Sequence, residues 1–438
     1  MSALTKFLIW SFFILIIDHT LVLAASSYGF PLQPIGIYAA IAVGLFVAAV
    51  WMERGISPLK DARLFFLCFA ALAILGAIMY RGEGAGPNFG AALLPPVETP
   101  SKIGYAVWPA INVLTGASLY MLVRHDEYRR TIINAAFVAL IIQAAAMEVD
   151  MWLPTIFAGS PGRSGGLAQN PNDAAFVVTA LAALLLPVAS GEKLHRFATY
   201  GVMIAVAAVL FSQSRTGLIC AVLLVIGLVV AARMASSFPK AHPAFVVSYV
   251  GLIVATLALS PVLNVTDEQI RERDVRHAEL AKQNTSGAQS RPTAENLGDP
   301  NIDGGVVTMQ ERLRARTSFD ASSNLRLTAI LFYAGIIKEH PFGLGTGFTN
   351  KFATGPHNVW LKLATDEGIG AAILFTLMLG AAWWQAAKTR SPILLCVSAI
   401  ALVAALFSQT TIVNPVIPTL LALALGAAQG GPQRRAAS

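Results

Sequence analysis

The chain has 438 residues, of which 55% are hydrophobic and only 13% are charged, whereas about 25% of the residues of a soluble protein carry a charge. A water-soluble globule of this length could not cover itself with so little polar surface, and the composition equally excludes a disordered chain, a collagen, a coiled coil and a disulfide scaffold. The net charge of +7 does not by itself indicate nucleic acid, because basic loops set the topology of membrane proteins. The sequence therefore predicts an all-α polytopic membrane protein.

Twelve apolar runs are long enough to cross a bilayer, whose core of about 30 Å needs roughly 20 apolar residues per helix. They cover residues 7–24, 35–52, 64–80, 103–123, 131–150, 172–189, 196–212, 215–233, 243–263, 368–387, 392–409 and 413–428. The first run resembles a secretory signal, but eleven more follow it, which favours a retained first span. We expect spans 1–9 in residues 1–263, and spans 10–12 with a short cytoplasmic tail in residues 368–438.

The positions of the basic residues predict the orientation of the spans. With the N-terminus inside, the cytoplasmic segments hold fifteen Lys and Arg residues: Lys6, Arg54, Lys60, Arg63, Arg124, Arg129, Arg130, Lys193, Arg196, Arg233, Lys240, Lys388, Arg390, Arg434 and Arg435. The short outer loops hold four, namely Arg81, Lys102, Arg163 and Arg215. Because cytoplasmic loops of membrane proteins are enriched in Lys and Arg, this bias predicts an N-in, C-in arrangement.

One outer loop, residues 264–367 between spans 9 and 10, is long and carries twelve basic residues of its own. Loops of this length are uncommon and usually functional. Within it we expect an amphipathic helix from Leu325 to Lys338, ended by Pro341 and the glycines of residues 343–347. A second short helix is expected from His357 to Thr365.

Two residues of the outer side are the first candidates for chemistry. Arg215 follows a tight hairpin between spans 7 and 8, where it either snorkels to water or binds an anionic group near the lipid headgroups. His357 begins the short second helix of the loop, where the helix dipole disfavours imidazolium. A neutral imidazole can accept a proton, although a loop histidine of this kind is more often a cap or a surface residue.

Further polar residues could assist these two. Arg326 begins the amphipathic loop helix, where a guanidinium suits phosphate oxygens unless it is simply solvated, and Arg312, Arg314 and Arg316 just upstream could take the same role. Arg163, before span 6, is a further candidate for binding the donor. Asn170, Asn172 and Asn358 are secondary candidates for contact with the substrate. Asn170 suits the N-cap of span 6, because Pro171 then occupies the first helical position.

The outer loops hold no metal-ligand cluster and no tight pair of carboxylates, so the sequence predicts no metal site. The glycines of residues 343–347 lack the Gly-Lys-Ser/Thr of a nucleotide-binding loop. What remains is a set of arginines and one histidine. That set suits a reaction in which arginines neutralise a phosphate ester leaving group in place of Mg²⁺ and the histidine takes a proton from a hydroxyl nucleophile.

Four segments of the chain resemble the bacterial O-antigen ligase and polymerase superfamily. They are Gly-Leu-Ala-Gln-Asn-Pro-Asn (166–172), Ser-Gln-Ser-Arg-Thr-Gly (212–217), His-Pro-Phe-Gly-Leu-Gly-Thr-Gly (340–347) and Pro-His-Asn-Val-Trp-Leu-Lys-Leu-Ala-Thr-Asp-Glu-Gly-Ile-Gly (356–370). The resemblance covers roughly residues 160–410. The twelve spans and the short C-terminus look like the lipid A-core:O-antigen ligase branch of that superfamily.

This resemblance implies a GT-C-like glycosyltransferase of the bacterial inner membrane, with its active site facing the periplasm. The donor would be O-antigen on undecaprenyl diphosphate and the acceptor a lipid A-core sugar. No cofactor, metal, nucleotide or nucleic acid is implied, and the transfer would invert the anomeric centre. By position, His357 matches the family's essential histidine, Arg215 the arginine after the hairpin and Arg326 the arginine of the large loop.

Two other functions stay open on the sequence. An O-antigen polymerase would share the donor and the chemistry but would use another lipid-linked glycan as acceptor. A twelve-span secondary transporter is a more remote alternative, because such folds usually show repeats and midplane polar groups, whereas the polar residues here concentrate in one outer loop.

Overall fold

The computed structural model of the protein describes residues 2–18, 20, 34–80, 104–152, 164–168, 170–187, 196–212, 214–234, 321–352, 355–408 and 416–430. Thirteen α-helices and no β-strand occur within these residues. The predicted all-α fold is therefore confirmed for this part of the chain.

The helices follow the apolar runs of the sequence. Their bounds are α1 Ser2–Ser11 (extended by a π-helical segment, Phe12–Ile17), α2 Pro34–Glu53, α3 Arg63–Ile78, α4 Gly104–Leu122, α5 Asp126–Trp152, α6 Pro171–Ala183, α7 Arg196–Ser212, α8 Arg215–Met234, α9 Ala321–Glu339, α10 Val359–Asp366, α11 Ile369–Thr389, α12 Pro392–Phe407 and α13 Val416–Gln429. Eleven of the twelve predicted runs coincide with a helix. The ninth, residues 243–263, lies outside the described residues, as do residues 264–320 of the long loop.

Five helical segments are long and apolar enough to cross a membrane: α2, α3 with the short 3₁₀ turn before it, α5, α8 and α11. Five more apolar helices are shorter, namely α1 with its extension, α4, α7, α12 and α13. The outer helices expose large apolar side chains such as Val47, Leu67, Val222 and Ile373, which suits contact with lipid. The protein is thus an all-α polytopic membrane protein.

Helices α6 and α13 form the centre of the bundle. The residues of α6 from Ala174 to Ala183 and those of α13 from Val416 to Ala427 are all buried, as expected of helices that are apolar on every side. Helix α6 packs against α5, α7, α8, α12 and α13, and α13 packs against α4, α11 and α12 as well. The outer helices are therefore arranged around two helices that contact protein on all sides.

Within the described residues, the segments between the helices gather at the two ends of the bundle. At one end, which we call the basic end, residues 2–6, 53–63, 120–128 and 429–430 meet. There Lys6 pairs with Glu127 at 2.6 Å, Arg124 with Asp61 at 3.2 Å, and Tyr120 donates a hydrogen bond to Gln429. These are segments that the distribution of basic residues assigns to the cytoplasm.

The opposite end, which we call the loop end, holds residues 76–80, 164–168, 170–172, 211–212, 214–217, 340–352, 355–370 and 406–408. Helix α3 connects the two ends, because it begins beside Asp61 and ends where the amide of Thr346 donates to the carbonyl of Met79 at 3.1 Å. The described residues of all four sequence segments that carry the family resemblance lie at the loop end.

Candidate active site

His357 lies two residues before α10, in a strained backbone conformation. Its φ of 47° lies in the left-handed region, which costs a non-glycine residue on the order of 1 kcal/mol or more, and its side chain is half-buried. The next residue, Asn358, caps α10 by accepting a hydrogen bond from the amide of Leu361 at 3.1 Å. The side-chain nitrogen of Asn358 donates to the carbonyl of Leu406, near the end of α12, at 3.3 Å. Asn358 thereby fixes the backbone of His357 against α12.

The glycine loop, residues 343–347, packs directly on the C-terminal end of α10. The amides of Leu344 and Gly345 donate to the carbonyls of Thr365 and Asp366 at 2.9 and 2.7 Å. Gly343 has a φ of 81°, and a Cβ added there would lie 2.5 Å from the backbone nitrogen of Gly368. The glycines of this loop therefore allow two backbones to approach each other closely.

The amides of the glycine loop and its continuation bind a carboxylate of the protein itself. Asp366 is 2% exposed and accepts from the amides of Gly347 at 3.2 Å and Thr349 at 2.8 Å. The ammonium group of Lys362, one helical turn earlier, donates to Asp366 and to the Thr349 hydroxyl, each at 2.9 Å. This cluster is not among the predicted site residues, although the spacing of four residues within the predicted short helix indicates a Lys–Asp pair.

Glu367 extends the cluster towards α3. A Cβ added at Gly76 would lie 3.1 Å from a carboxylate oxygen of Glu367, and the hydroxyl of Thr346 donates to the Gly76 carbonyl at 2.6 Å. Burial, with a smaller contribution from the negative charge of Asp366, raises the pKa of Glu367 from 4.5 to about 8. At neutral pH this carboxyl group is largely protonated.

The two earlier segments form a second part of the loop end. Asn170 caps α6 by accepting from the amides of Asn172 at 2.8 Å and Asp173 at 3.4 Å, which confirms the predicted cap. Ser214 precedes Arg215, the first residue of α8, and the tight hairpin between α7 and α8 is also confirmed. The Ser214 hydroxyl donates to the side-chain oxygen of Asn172 at 2.7 Å, so these two segments are in direct contact.

Asp150 at the end of α5 holds the loop before α6. It is 2% exposed and accepts from the hydroxyl of Ser164 at 3.1 Å and from the amides of Gly165 and Gly166 at 3.0 and 3.3 Å. The amide of Ser164 donates to the carbonyl of Phe211 at the end of α7, at 3.2 Å. A buried carboxylate therefore ties this loop to the hairpin that precedes Arg215.

Helices α8 and α12 bring the two parts of the loop end to the same level. They run antiparallel, and the thiol of Cys396 contacts the Leu223 carbonyl at 3.9 Å. At about 1.5 Å rise per residue, α12 continues about 15 Å to Leu406 and α8 extends back about 12 Å to Arg215. The start of α8 and the carbonyl that binds Asn358 thus lie at similar heights on neighbouring helices.

The remaining predicted site residues are placed only in part. Arg326 lies in α9, whose residues Ala329, Tyr333 and Ile336 pack in one apolar cluster with Leu344 and Phe348. The structure describes the backbone of Arg215 and Arg326 but not their side chains. Arg163, Arg312 and Arg316 lie outside the described residues. Within the described residues, no group of three or more His, Cys, Asp or Glu side chains could hold a metal ion.

One region of the chain matches a known protein family. The O-antigen ligase family model matches residues 200–376, which run from α7 into α11 and include Arg215, Arg326 and His357. No curated protein matches the chain significantly. The matched region contains both the start of α8 and the His357 segment that the bundle brings to one end. This match supports the O-antigen ligase and polymerase family, whose members are glycosyl-transferring membrane enzymes.

Proposed function

We propose that this protein is an O-antigen ligase, which transfers O-antigen polysaccharide from undecaprenyl diphosphate to a sugar hydroxyl of lipid A-core in lipopolysaccharide biosynthesis. The observation that carries the proposal is the backbone of His357, fixed by Asn358 against α12, at the level of the α8 start. The protein would lie in the inner membrane with both termini in the cytoplasm, so that the loop end faces the periplasm, where donor and acceptor meet. Its fold would be of the GT-C type.

In the proposed reaction His357 is the general base. Its imidazole takes the proton of the acceptor hydroxyl, and the hydroxyl oxygen attacks the anomeric carbon of the donor sugar from the face opposite the diphosphate. The new glycosidic bond forms as the bond to the diphosphate oxygen breaks, and undecaprenyl diphosphate leaves with the bonding electrons. The configuration at the anomeric carbon is therefore inverted, and the proton on His357 is later released to solvent.

The diphosphate would be bound without a metal ion. Arg215 is the first residue of a helix of 20 residues, so the positive end of the helix dipole adds to the guanidinium charge. Arg326 in α9 and Arg163, which precedes Ser164 in the sequence, would supply further guanidinium groups. Guanidinium groups bind phosphate oxygens in pairs of hydrogen bonds and remain charged at any physiological pH.

The test is transfer by the purified protein in lipid nanodiscs, with O-antigen on undecaprenyl diphosphate, lipid A-core and EDTA. We expect transfer in EDTA. His357→Ala should lower the rate about 10²- to 10⁴-fold with an unchanged melting temperature. His340→Ala changes another half-buried histidine of the loop end and serves as the matched control. A wild-type rate for His357→Ala would contradict the base role, and a requirement for Mg²⁺ would contradict the metal-free mechanism.

An O-antigen polymerase is the second candidate, because the family includes both activities. The two are separated by the acceptor. A ligase transfers the glycan to lipid A-core, whereas a polymerase ignores lipid A-core and extends a second lipid-linked glycan. The family match also favours glycosyl transfer over the secondary transporter, which would move a solute into proteoliposomes without any transfer of glycan.

A further inference from the structure

Ser214 forms a hydrogen-bonded relay between α6 and α8. Its side chain is fully buried. Its hydroxyl oxygen accepts from the amide of Gly217 at 2.9 Å, which makes Ser214 the N-cap of α8, and its hydroxyl proton goes to the side-chain oxygen of Asn172 at 2.7 Å. A serine hydroxyl has one proton and rotates freely, so the bond to Asn172 fixes the direction in which its lone pairs point.

We propose that Asn172 is a positioning residue for the donor diphosphate: it orients Ser214, and through this cap it fixes the start of α8 and the backbone of Arg215. The inference rests on the proposed function, since it assigns Asn172 a role in the binding of the donor by Arg215. It also changes the expectation from the sequence, in which Asn172 was a candidate for contact with the substrate.

The packing around the relay explains why the orientation matters. Asn172 is held at the start of α6, because its own amide is bound by the Asn170 cap. A Cβ added at Gly217 would lie 2.5 Å from the Cβ of Ala175, so α6 and α8 approach each other closely just below the relay. From Gly217 onward α8 is fixed by packing, which leaves residues 214–216 as the part that the Ser214 cap has to hold.

A double-mutant cycle tests whether Asn172 acts through Ser214. We expect Asn172→Ala and Ser214→Ala each to weaken donor binding about five- to tenfold, the equivalent of one hydrogen bond. The double variant should be no weaker than either single variant, because both break the same relay. Donor binding is measured as the KM for the lipid-linked glycan and directly with undecaprenyl diphosphate, while kcat should change less than about twofold.

Hydrogen exchange provides a readout that does not depend on activity. The amides of residues 214–220 should exchange faster in Asn172→Ala than in the wild-type protein, because the first turn of α8 is less well held. Asn112→Ala is the matched control: it removes a similar bond, from the Tyr38 hydroxyl to a buried asparagine at 3.0 Å, between α2 and α4. It should change neither donor binding nor exchange in α8. If Asn172→Ala does not fold, Ser214→Ala removes the same bond from the other side.

The outcomes separate this inference from the proposed function. If Arg215→Ala weakens donor binding but Asn172→Ala does not, the relay has no positioning role and the proposed function stands. Effects of Asn172→Ala and Ser214→Ala that multiply would also overturn the inference, because Asn172 would then act on the donor independently of Ser214. If Arg215→Ala binds undecaprenyl diphosphate as well as the wild-type protein does, the diphosphate role of Arg215 fails, and unchanged exchange in α8 of Asn172→Ala would still refute the relay itself.

Discussion

Each end of the bundle contains an ion pair between a lysine and a carboxylate, which is exposed at the basic end and buried at the loop end. At the basic end Lys6 and Glu127 approach to 2.6 Å with side chains 39% and 56% exposed. At the loop end Lys362 and Asp366 approach to 2.9 Å with side chains 11% and 2% exposed. An exposed ion pair is screened by water and salt and contributes little, whereas breaking a buried pair leaves a charge without a partner in a poorly solvated place.

This difference in burial indicates that the side chains of the two ends have different structural roles. The charged residues at the basic end need only lie at that end of the bundle, and many conformations of their long side chains satisfy this requirement. At the loop end Asp366 and Asp150 each bind backbone amides, so the carboxylates determine where the backbone runs. We therefore expect substitutions at the loop end to affect folding and glycosyl transfer, and equivalent substitutions at the basic end to be tolerated.

The largest effect is expected for Asp366→Ala. It leaves the buried ammonium group of Lys362 unpaired and the amides of Gly347 and Thr349 without their acceptor, which should destabilise the protein by about 3–5 kcal/mol. Thermal unfolding in detergent measures the loss, together with the yield of folded protein. Lys362→Met in the Asp366→Ala background should recover part of the stability, because it removes the unpaired charge. A loss below about 1 kcal/mol for Asp366→Ala would contradict the distinction between the two ends.

A smaller effect is expected for Gly343→Ala, which tests the backbone contact without changing any charge. The new Cβ would face the backbone nitrogen of Gly368 at 2.5 Å with a φ of 81°, so the two segments must separate, at a cost of about 1–3 kcal/mol. Gly335→Ala is the matched control, because a Cβ there meets nothing within 4 Å in the middle of α9. It should stabilise the protein by about 0.5–1 kcal/mol. Melting temperatures that shift in the same direction for both variants would refute the packing argument.

The contrast also explains what the sequence predicted and what it did not. Eleven helices follow from apolar runs, because the bilayer imposes a length on each span, and the Asn170 cap of α6 follows from local spacing. The contacts of the loop end join distant segments: the Thr346 hydroxyl meets the carbonyl of Gly76, 270 positions away. A local sequence pattern cannot predict a contact between residues so far apart in the chain. The Lys362–Asp366 spacing predicts a pair, but only the fold reveals that Asp366 binds the amides of the glycine loop.

The pH dependence of stability should reveal Glu367. Because burial raises its pKa from 4.5 to about 8, the folded protein keeps a proton that the unfolded chain releases between these pH values. The contribution of this group to stability is therefore complete below about pH 4.5 and falls as the pH rises to about 8. Glu367→Gln should flatten this part of the curve of melting temperature against pH. Glu339→Gln, which changes an exposed glutamate at the end of α9, should leave the slope as it is.

The smallest effect is expected for Lys6→Ala at the basic end. Its pair with Glu127 is open to solvent on both sides, and the Ser2 hydroxyl still donates to the same carboxylate at 3.0 Å. The melting temperature and the rate of glycan transfer should therefore match those of the wild-type protein, and the same should hold at low and high salt. If Lys6→Ala instead lowered the melting temperature as much as Asp366→Ala does, burial would not be what distinguishes the two Lys–carboxylate pairs, and the rigidity assigned to the loop end would need another cause.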